Sequence, residues 1–147
     1  MKLTSAIGGG IAGAIALTVI HETVRRLNKN APRMDLLGME ALAETLDNVN
    51  AKIPPEDTLF KVTMAGDLVT NSLYYSLAGF GNEQQGMLRG AFLGLAAGIG
   101  AVYLPKPLGL NEAPSNRTPQ TKWMTVALYL AGGLAAGVAG KLIENRT

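Results

Sequence analysis

Apolar residues gather along this chain in four long stretches separated by polar connectors. Leu3 to Ile20 (LTSAIGGGIAGAIALTVI) leads to the basic residues Arg25 and Arg26. Val62 to Phe80 (VTMAGDLVTNSLYYSLAGF) holds an aspartate, Asp67, inside an otherwise apolar run. Gln85 to Leu104 and Trp123 to Ile143 are richer in Gly and Ala. A helix needs about 20 predominantly apolar residues to cross a ~30 Å hydrocarbon layer, and each stretch is close to that length. The pattern predicts an all-α, integral membrane four-helix bundle in a single domain, residues 1–147, with spans over about 3–24, 60–80, 86–104 and 123–143.

The first connector is not featureless. After a break at Asn28–Pro32, Leu36, Met39, Leu42 or Ala43, Leu46 and Val49 recur at three- and four-residue steps, so residues 34–50 read as an amphipathic helix at the membrane interface. Its polar face carries Asp35, Glu40, Glu44 and Asp47, unlike the basic face of an anionic-lipid sensor. Ile53-Pro54-Pro55 stops it, and Asp57 or Thr58 is placed to cap the next helix. In that next helix Thr63, Asp67, Thr70 or Asn71, Tyr74 and Ala78 share one face, which should turn inward.

Composition sharpens this picture. Among 147 residues, 48% are apolar and 16% charged, and the charge is concentrated in 25–61, 106–122 and the last few residues. These loops explain a mean hydropathy of only +0.19. The net charge of +2 and the lack of a basic run with interleaved aromatics exclude a nucleic-acid surface. No cysteine is present, which excludes disulfides, iron–sulfur clusters and thiolate zinc sites. Met1-Lys2 before an apolar run, with Ala12-Gly13-Ala14 beyond it, has the outline of a signal peptide. The run continues through Ile20, so a retained first membrane helix is expected.

Four crossings would put nine basic residues (Arg25, Arg26, Lys29, Arg33, Lys52, Lys61, Lys106, Arg117 and Lys122) on the side of the two long loops, against four (Lys2, Arg89, Lys141 and Arg146) on the side of the termini. The positive-inside rule then makes the long loops cytoplasmic, in a bacterial-type inner membrane.

Eighteen glycines fall mostly within the apolar stretches, where they suit close helix contact in lipid. Gly86, Gly90, Gly94 and Gly98 recur at every fourth position, and Gly9/Gly13 and Gly133/Gly137 are further pairs one turn apart. The stripe does not say whether its partner is internal or a second copy. Gly8 to Gly13 also fits G-x-G-x-x-G, and IGGGIAGA resembles the phosphate-binding turn of flavin-dependent oxidoreductases. That fingerprint requires a buried strand before it, whereas only Lys2-Leu3-Thr4-Ser5 precede it here. Helix packing is the preferred reading, and no cofactor is expected.

The residues that could carry chemistry are few. His21 and Glu22 lie about four residues inside Arg25, and Asp67 about six inside Lys61, so all three belong to the same half of the bilayer. A carboxylate at that depth costs ~2.5 kcal/mol or considerably more, so Asp67 needs a partner, a proton or water. His21 and Arg25 are candidate partners, and Asn71 a candidate hydrogen-bonding neighbour. The cluster reads either as a site, with Arg25, Arg26 and Arg117 binding a polar group and His21, Glu22 or Asp67 as acid or base, or as a salt bridge orienting two helices. His21-Glu22-x-x-Arg25 lacks the second histidine of a zinc-protease motif, and His21 is the only histidine, so no metal site is expected. The loop 109–121, which holds Arg117, is long enough to fold over Asp67 as a lid or to be a plain surface turn.

The expected role is a non-enzymatic structural or accessory membrane subunit that packs through its glycine faces, as a homo-oligomer or within a larger membrane complex. A proton-coupled transport unit and an enzyme acting on lipid headgroups, both built on Asp67, are the alternatives.

Overall fold

The computed structural model describes residues 1–146, which form only helices and turns. The helices are α1 (Leu3–Leu27), α2 (Met34–Asn48), α3 (Glu56–Ser76), α4 (Gly86–Tyr103), the single turn α5 (Ala113–Asn116) and α6 (Pro119–Glu144). Three of these, α1, α4 and α6, are long and apolar enough to cross a membrane. α3 is not among them, because Lys61, Asp67, Asn71 and its hydroxyl side chains lower its hydropathy.

Several boundaries differ from the expected ones, each for a local reason. α3 begins at Glu56, directly after Pro55, and no side chain caps it. Asp57, expected as a possible cap, instead accepts from Lys61 one turn on, at 2.7 Å. α3 ends at Ser76 and tightens into a 3-10 turn, Leu77–Gly79, before the reversal at Gly81, whose φ of 95° is the left-handed region that favours glycine. α6 starts at Pro119 rather than Trp123, since Thr118 caps it: its hydroxyl accepts from the Thr121 N–H at 3.0 Å, and proline suits the first helical position.

The helices pack in the lateral order α3, α1, α6, α4, with α6 central, and neighbours antiparallel. What makes this possible is the absence of side chains where α6 meets its neighbours. A Cβ on Gly9 would lie 2.7 Å from the Ala136 carbonyl oxygen, and one on Gly13 2.6 Å from that of Gly132, so α1 rests on the α6 backbone. On the other flank, Cβ atoms on Gly94 and Gly98 would stand 2.5 Å from the Tyr129 oxygen and 2.7 Å from Val126 Cα, and Gly90 and Gly86 oppose Gly133 and Gly137. The α4 glycine stripe therefore faces α6 of the same chain. α1 meets α3 similarly, with Gly10 against Ser72 and Ser76, and Gly79 against Ala6.

Larger side chains fill the gaps that remain. Tyr75 is fully buried in a cluster with Leu17, Leu128 and Ala136, and its hydroxyl donates to the Tyr129 carbonyl at 2.8 Å. Gly132 makes room for this ring. The neighbouring Tyr74 donates to the Leu93 carbonyl at 3.0 Å, and this is where α3 reaches α4.

The stripe and an open glycine give a paired test. Gly94→Ala forces a methyl group against backbone that cannot rotate away, so the midpoint of detergent-induced unfolding should fall by the equivalent of about 1–3 kcal/mol. A Cβ at Gly66 meets nothing within 4 Å, so Gly66→Ala should be neutral or stabilise by up to about 1 kcal/mol through helix propensity. Equal effects at the two positions would refute backbone contact along the stripe.

Candidate functional site

The site is built from the connector between α1 and α2, because that connector decides where α2 lies. Residues 28–32 run beneath the ends of α1 and α6 with Ala31 and Pro32 buried, so their backbone groups need partners. Each carbonyl finds one. That of Asn28 accepts from the Ala31 N–H, those of Lys29 and Ala31 from Arg117, that of Asn30 from the Thr121 hydroxyl at 2.8 Å, and that of Pro32 from His21 Nε2 at 2.9 Å. Arg33 N–H then donates to the Pro114 carbonyl at 2.8 Å. With the connector held this way, α2 starts at Met34 beside α3.

The first turn of α2 carries an ion cluster. Asp35, only 3% exposed, takes both nitrogens of the Arg33 fork at 2.7–3.2 Å and lies 3.7 Å from Arg25. Arg25 also holds Glu22 at 2.5 Å, and Arg26 reaches Glu22 at 4.0 Å. Burial alone would push the Asp35 carboxyl up, but the hydrogen bonds and charge of Arg33, with Arg25 behind it, outweigh this and hold it below the usual carboxylate range. Charge-assisted forks of this kind are the stronger hydrogen bonds in proteins.

Further along, α2 crosses α3 at Gly38. A Cβ there would lie 2.6 Å from the Thr63 methyl and 3.7 Å from Asp67 Oδ2, so glycine lets α2 cover this turn of α3. The Thr63 hydroxyl is buried without a partner, and Asp67, one turn on, makes no hydrogen bond or ion pair among the described residues. Asp67 is half-buried and faces two spaces. One is a cavity of about 30 Å³, room for about two waters, which it shares with Thr18, His21, Asp35, Asn71 and Thr125. The other is a groove of about 550 Å³ between α3 and α4, floored by Tyr129 and closed at one end by α2.

The sequence-predicted residues are thus distributed over several roles. His21, Asn71 and Asp67 share the small cavity, with His21 tied to the connector carbonyl rather than to Asp67. Glu22 and Arg26 lie on another face of α1, against Thr18 and Leu27. Arg25 turns to Glu22 and Asp35, and Arg117 holds the connector. The segment 109–118 reaches the Asp67 groove only at its rim, through Leu110. It buttresses α2, where the Asn111 N–H donates to Glu40 at 3.0 Å, and α2 is the element over Asp67. Periodicity puts Asp35 on the polar face of α2 and does not reveal that it is buried as the centre of the ion cluster. The available signal was its place two residues after Arg33 in the first turn of a helix that follows a proline. Among the described residues no three His, Cys, Asp or Glu side chains converge as metal ligands would.

Comparison with protein-family models, with curated proteins and with solved structures finds no match to this chain.

The Asp35 cluster predicts an acid-labile α2. A carboxyl held low in the folded state contributes stability that is complete above its unfolded value of ~3.9 and is lost as pH falls through the folded one. The thermal midpoint of the solubilised protein should therefore drop on acidification below about pH 4. Asp35→Asn should lower stability by roughly 2–3 kcal/mol at pH 7 and erase that part of the acid dependence, as the half-buried Arg33 fork and Arg25 lose their carboxylate. Parallel pH curves for the two proteins would rule this out.

Proposed function

We propose that this chain is an integral membrane protein with four crossings, α3 being the fourth, and that it serves as a non-enzymatic accessory subunit of a membrane complex. Membrane insertion is supported by the distribution of side-chain size. Large aliphatic and aromatic residues are exposed along α1 (Ile7, Ile11, Ile15, Val19), α3 (Val62, Val69, Leu73) and α4 (Leu88, Phe92, Ile99), while Gly, Ala, Ser and Thr occupy most of the interior. In water this arrangement would be inside out, whereas in lipid it is expected. α3 lies antiparallel to α1 along its length, so it shares the layer that α1 crosses. The positive-inside rule places 25–61 and 105–122 in the cytoplasm of a bacterial-type inner membrane.

The observation that carries the accessory role is the groove between α3 and α4. It stays open, with an unpaired carboxylate in its wall, although the glycine faces pack onto the chain's own helices. An enzyme acting on lipid headgroups finds less support, because Glu22 is held by two arginines away from Asp67. A proton-coupled unit is the second reading, favoured by the water-sized cavity that His21 and Asp67 share. It requires that vesicles containing the protein dissipate an imposed pH gradient faster than vesicles containing Asp67→Asn, whereas an accessory subunit gives equal rates.

The lack of cysteine makes the crossing scheme directly testable. Single cysteines at Asn111 and Gln84 should react with an impermeant maleimide from opposite faces of the membrane, Asn111→Cys from the cytoplasmic one only. Labelling of both from one face, or recovery of the protein without detergent, would overturn the scheme.

A further inference from the structure

We infer that the groove between α3 and α4 receives a transmembrane helix of a different protein, one that carries a lysine or arginine at the depth of Asp67. This rests on the accessory reading above and names the chemistry of the partner.

The groove has walls of opposite character. On α3 it offers Asp67, Thr70 and Asn71, and on α4 the small residues Ala97, Gly100 and Ala101. α2 closes one end of the groove through Leu37, Gly38 and Ala41, but among the described residues no helix packs on the α4 wall at Gly100. A Cβ on Gly100 would meet only Leu104 of its own helix, whereas Cβ atoms on Gly90, Gly94 and Gly98 would each run into α6. Small residues let helix backbones come close in lipid, where dispersion and polar contacts, not water, drive association. The α3 wall supplies the sign of the charge. Asp67 lies six residues inside Lys61, about 9 Å deeper at the helical rise, and an acid at that depth is expected to pair. Among the described residues no hydrogen bond or ion pair reaches it.

A second copy cannot answer this need. Asp67 is level with Leu17 on α1 and with Leu128 and Tyr129 on α6, where they line common spaces. On α1, α3 and α6 the basic residues nearest to that level are Arg25, Lys61 and Lys122, each six to eight residues away, or about 9–12 Å nearer the cytoplasmic interface, and on α4 Arg89 lies eight residues from Ala97 toward the opposite face, where it donates to the Ala78 and Asn82 carbonyls. Arg25 is also engaged with Glu22 and Asp35. A homodimer would bring a second unpaired acid to the first, so we assign the complementary charge to another chain.

The test uses a designed probe in place of the unidentified partner. The protein is reconstituted into phosphatidylcholine vesicles with a donor fluorophore on Gln84→Cys. Energy transfer is then recorded to a 23-residue Leu/Ala peptide with tryptophan flanks that has a lysine six residues from one end, and to the same peptide with methionine there. The lysine peptide should associate at least tenfold more tightly than the methionine peptide. Asp67→Asn should reduce it to the methionine level, and Ala101→Leu, which fills the opposite wall, should weaken both peptides. Circular dichroism on both variants establishes that the helices are intact. Equal affinity of the two peptides for the wild type, or a lysine preference that survives Asp67→Asn, would overturn the inference. So would loss of the preference when phosphatidylethanolamine is added, because the carboxylate would then belong to a lipid ammonium group. A negative result in vesicles where cysteine labelling reports the expected crossings rejects the partner helix alone, while failure to insert rejects the accessory reading itself.

Discussion

Backbone-to-backbone contact across α6 is the constraint on which the rest of the structure depends. With Gly132, Ala136 and Gly140 turned to α1 and Gly133 and Gly137 turned to α4, α6 has no side chain on either flank large enough to hold a neighbour away. Both neighbours are drawn to it, and three of the four long helices are fixed. α3 is then the outer member. It lies on α1 through Gly10 and Gly79, and it meets α4 only near the reversal at 77–86 and at the Tyr74 hydroxyl. Beyond Tyr74 the two helices diverge. The groove is therefore a consequence of packing order: α6 occupies the position from which α3 and α4 could otherwise have closed on each other.

This also explains why Asp67 can remain where it is. An ionised carboxylate in hydrocarbon is costly by ~2.5 kcal/mol on the mildest scale, and at a closed helix interface it would have to be matched by the chain itself. Here it stands at the junction of a water-sized cavity and an open groove, under a helix that covers it without bonding to it. The candidate partners that carry or can carry a positive charge are committed elsewhere. His21 satisfies Pro32, Arg25 satisfies Glu22 and Asp35, and Arg117 satisfies two connector carbonyls. Each of these assignments serves backbone or charge that is buried at the α1–α2 junction, and together they set the angle at which α2 leaves α1.

The long-range features of the fold were the more legible ones. Helix existence and length followed from apolar run lengths, since period and length speak for each element alone, and the small-residue spacing in α4 and α6 was visible as a repeat. Boundaries were less legible where a cap acts from outside the apolar run, as Thr118 and Pro119 do for α6. The candidate site was legible only in its most anomalous member, Asp67. Its neighbours could not be read, because they depend on how a five-residue connector folds, and that depends on partners up to about ninety residues away: Arg117 and Thr121 bonding to Lys29 and Asn30. Asp35 shows the limit most clearly. By periodicity it belongs with Glu40, Glu44 and Asp47 on a polar face, but the connector turns the first turn of α2 inward, so the same face is solvated at one end and buried at the other.

That division of α2 bears on how the groove could be used. The end of α2 near Asp35 is anchored by an arginine fork and by the loop around Pro114, while farther along Gly38 fits on Thr63, Leu37 is buried and Glu40 accepts from the Asn111 N–H. The polar bonds that hold α2 run to the connector and to the 109–118 segment, whereas its seat over Thr63 and Asp67 is a close fit without a hydrogen bond. The interaction that makes the α1–α2 junction rigid is thus separate from the one that covers the acid. A partner of the proposed kind, reaching Asp67 in the groove, would meet only the second.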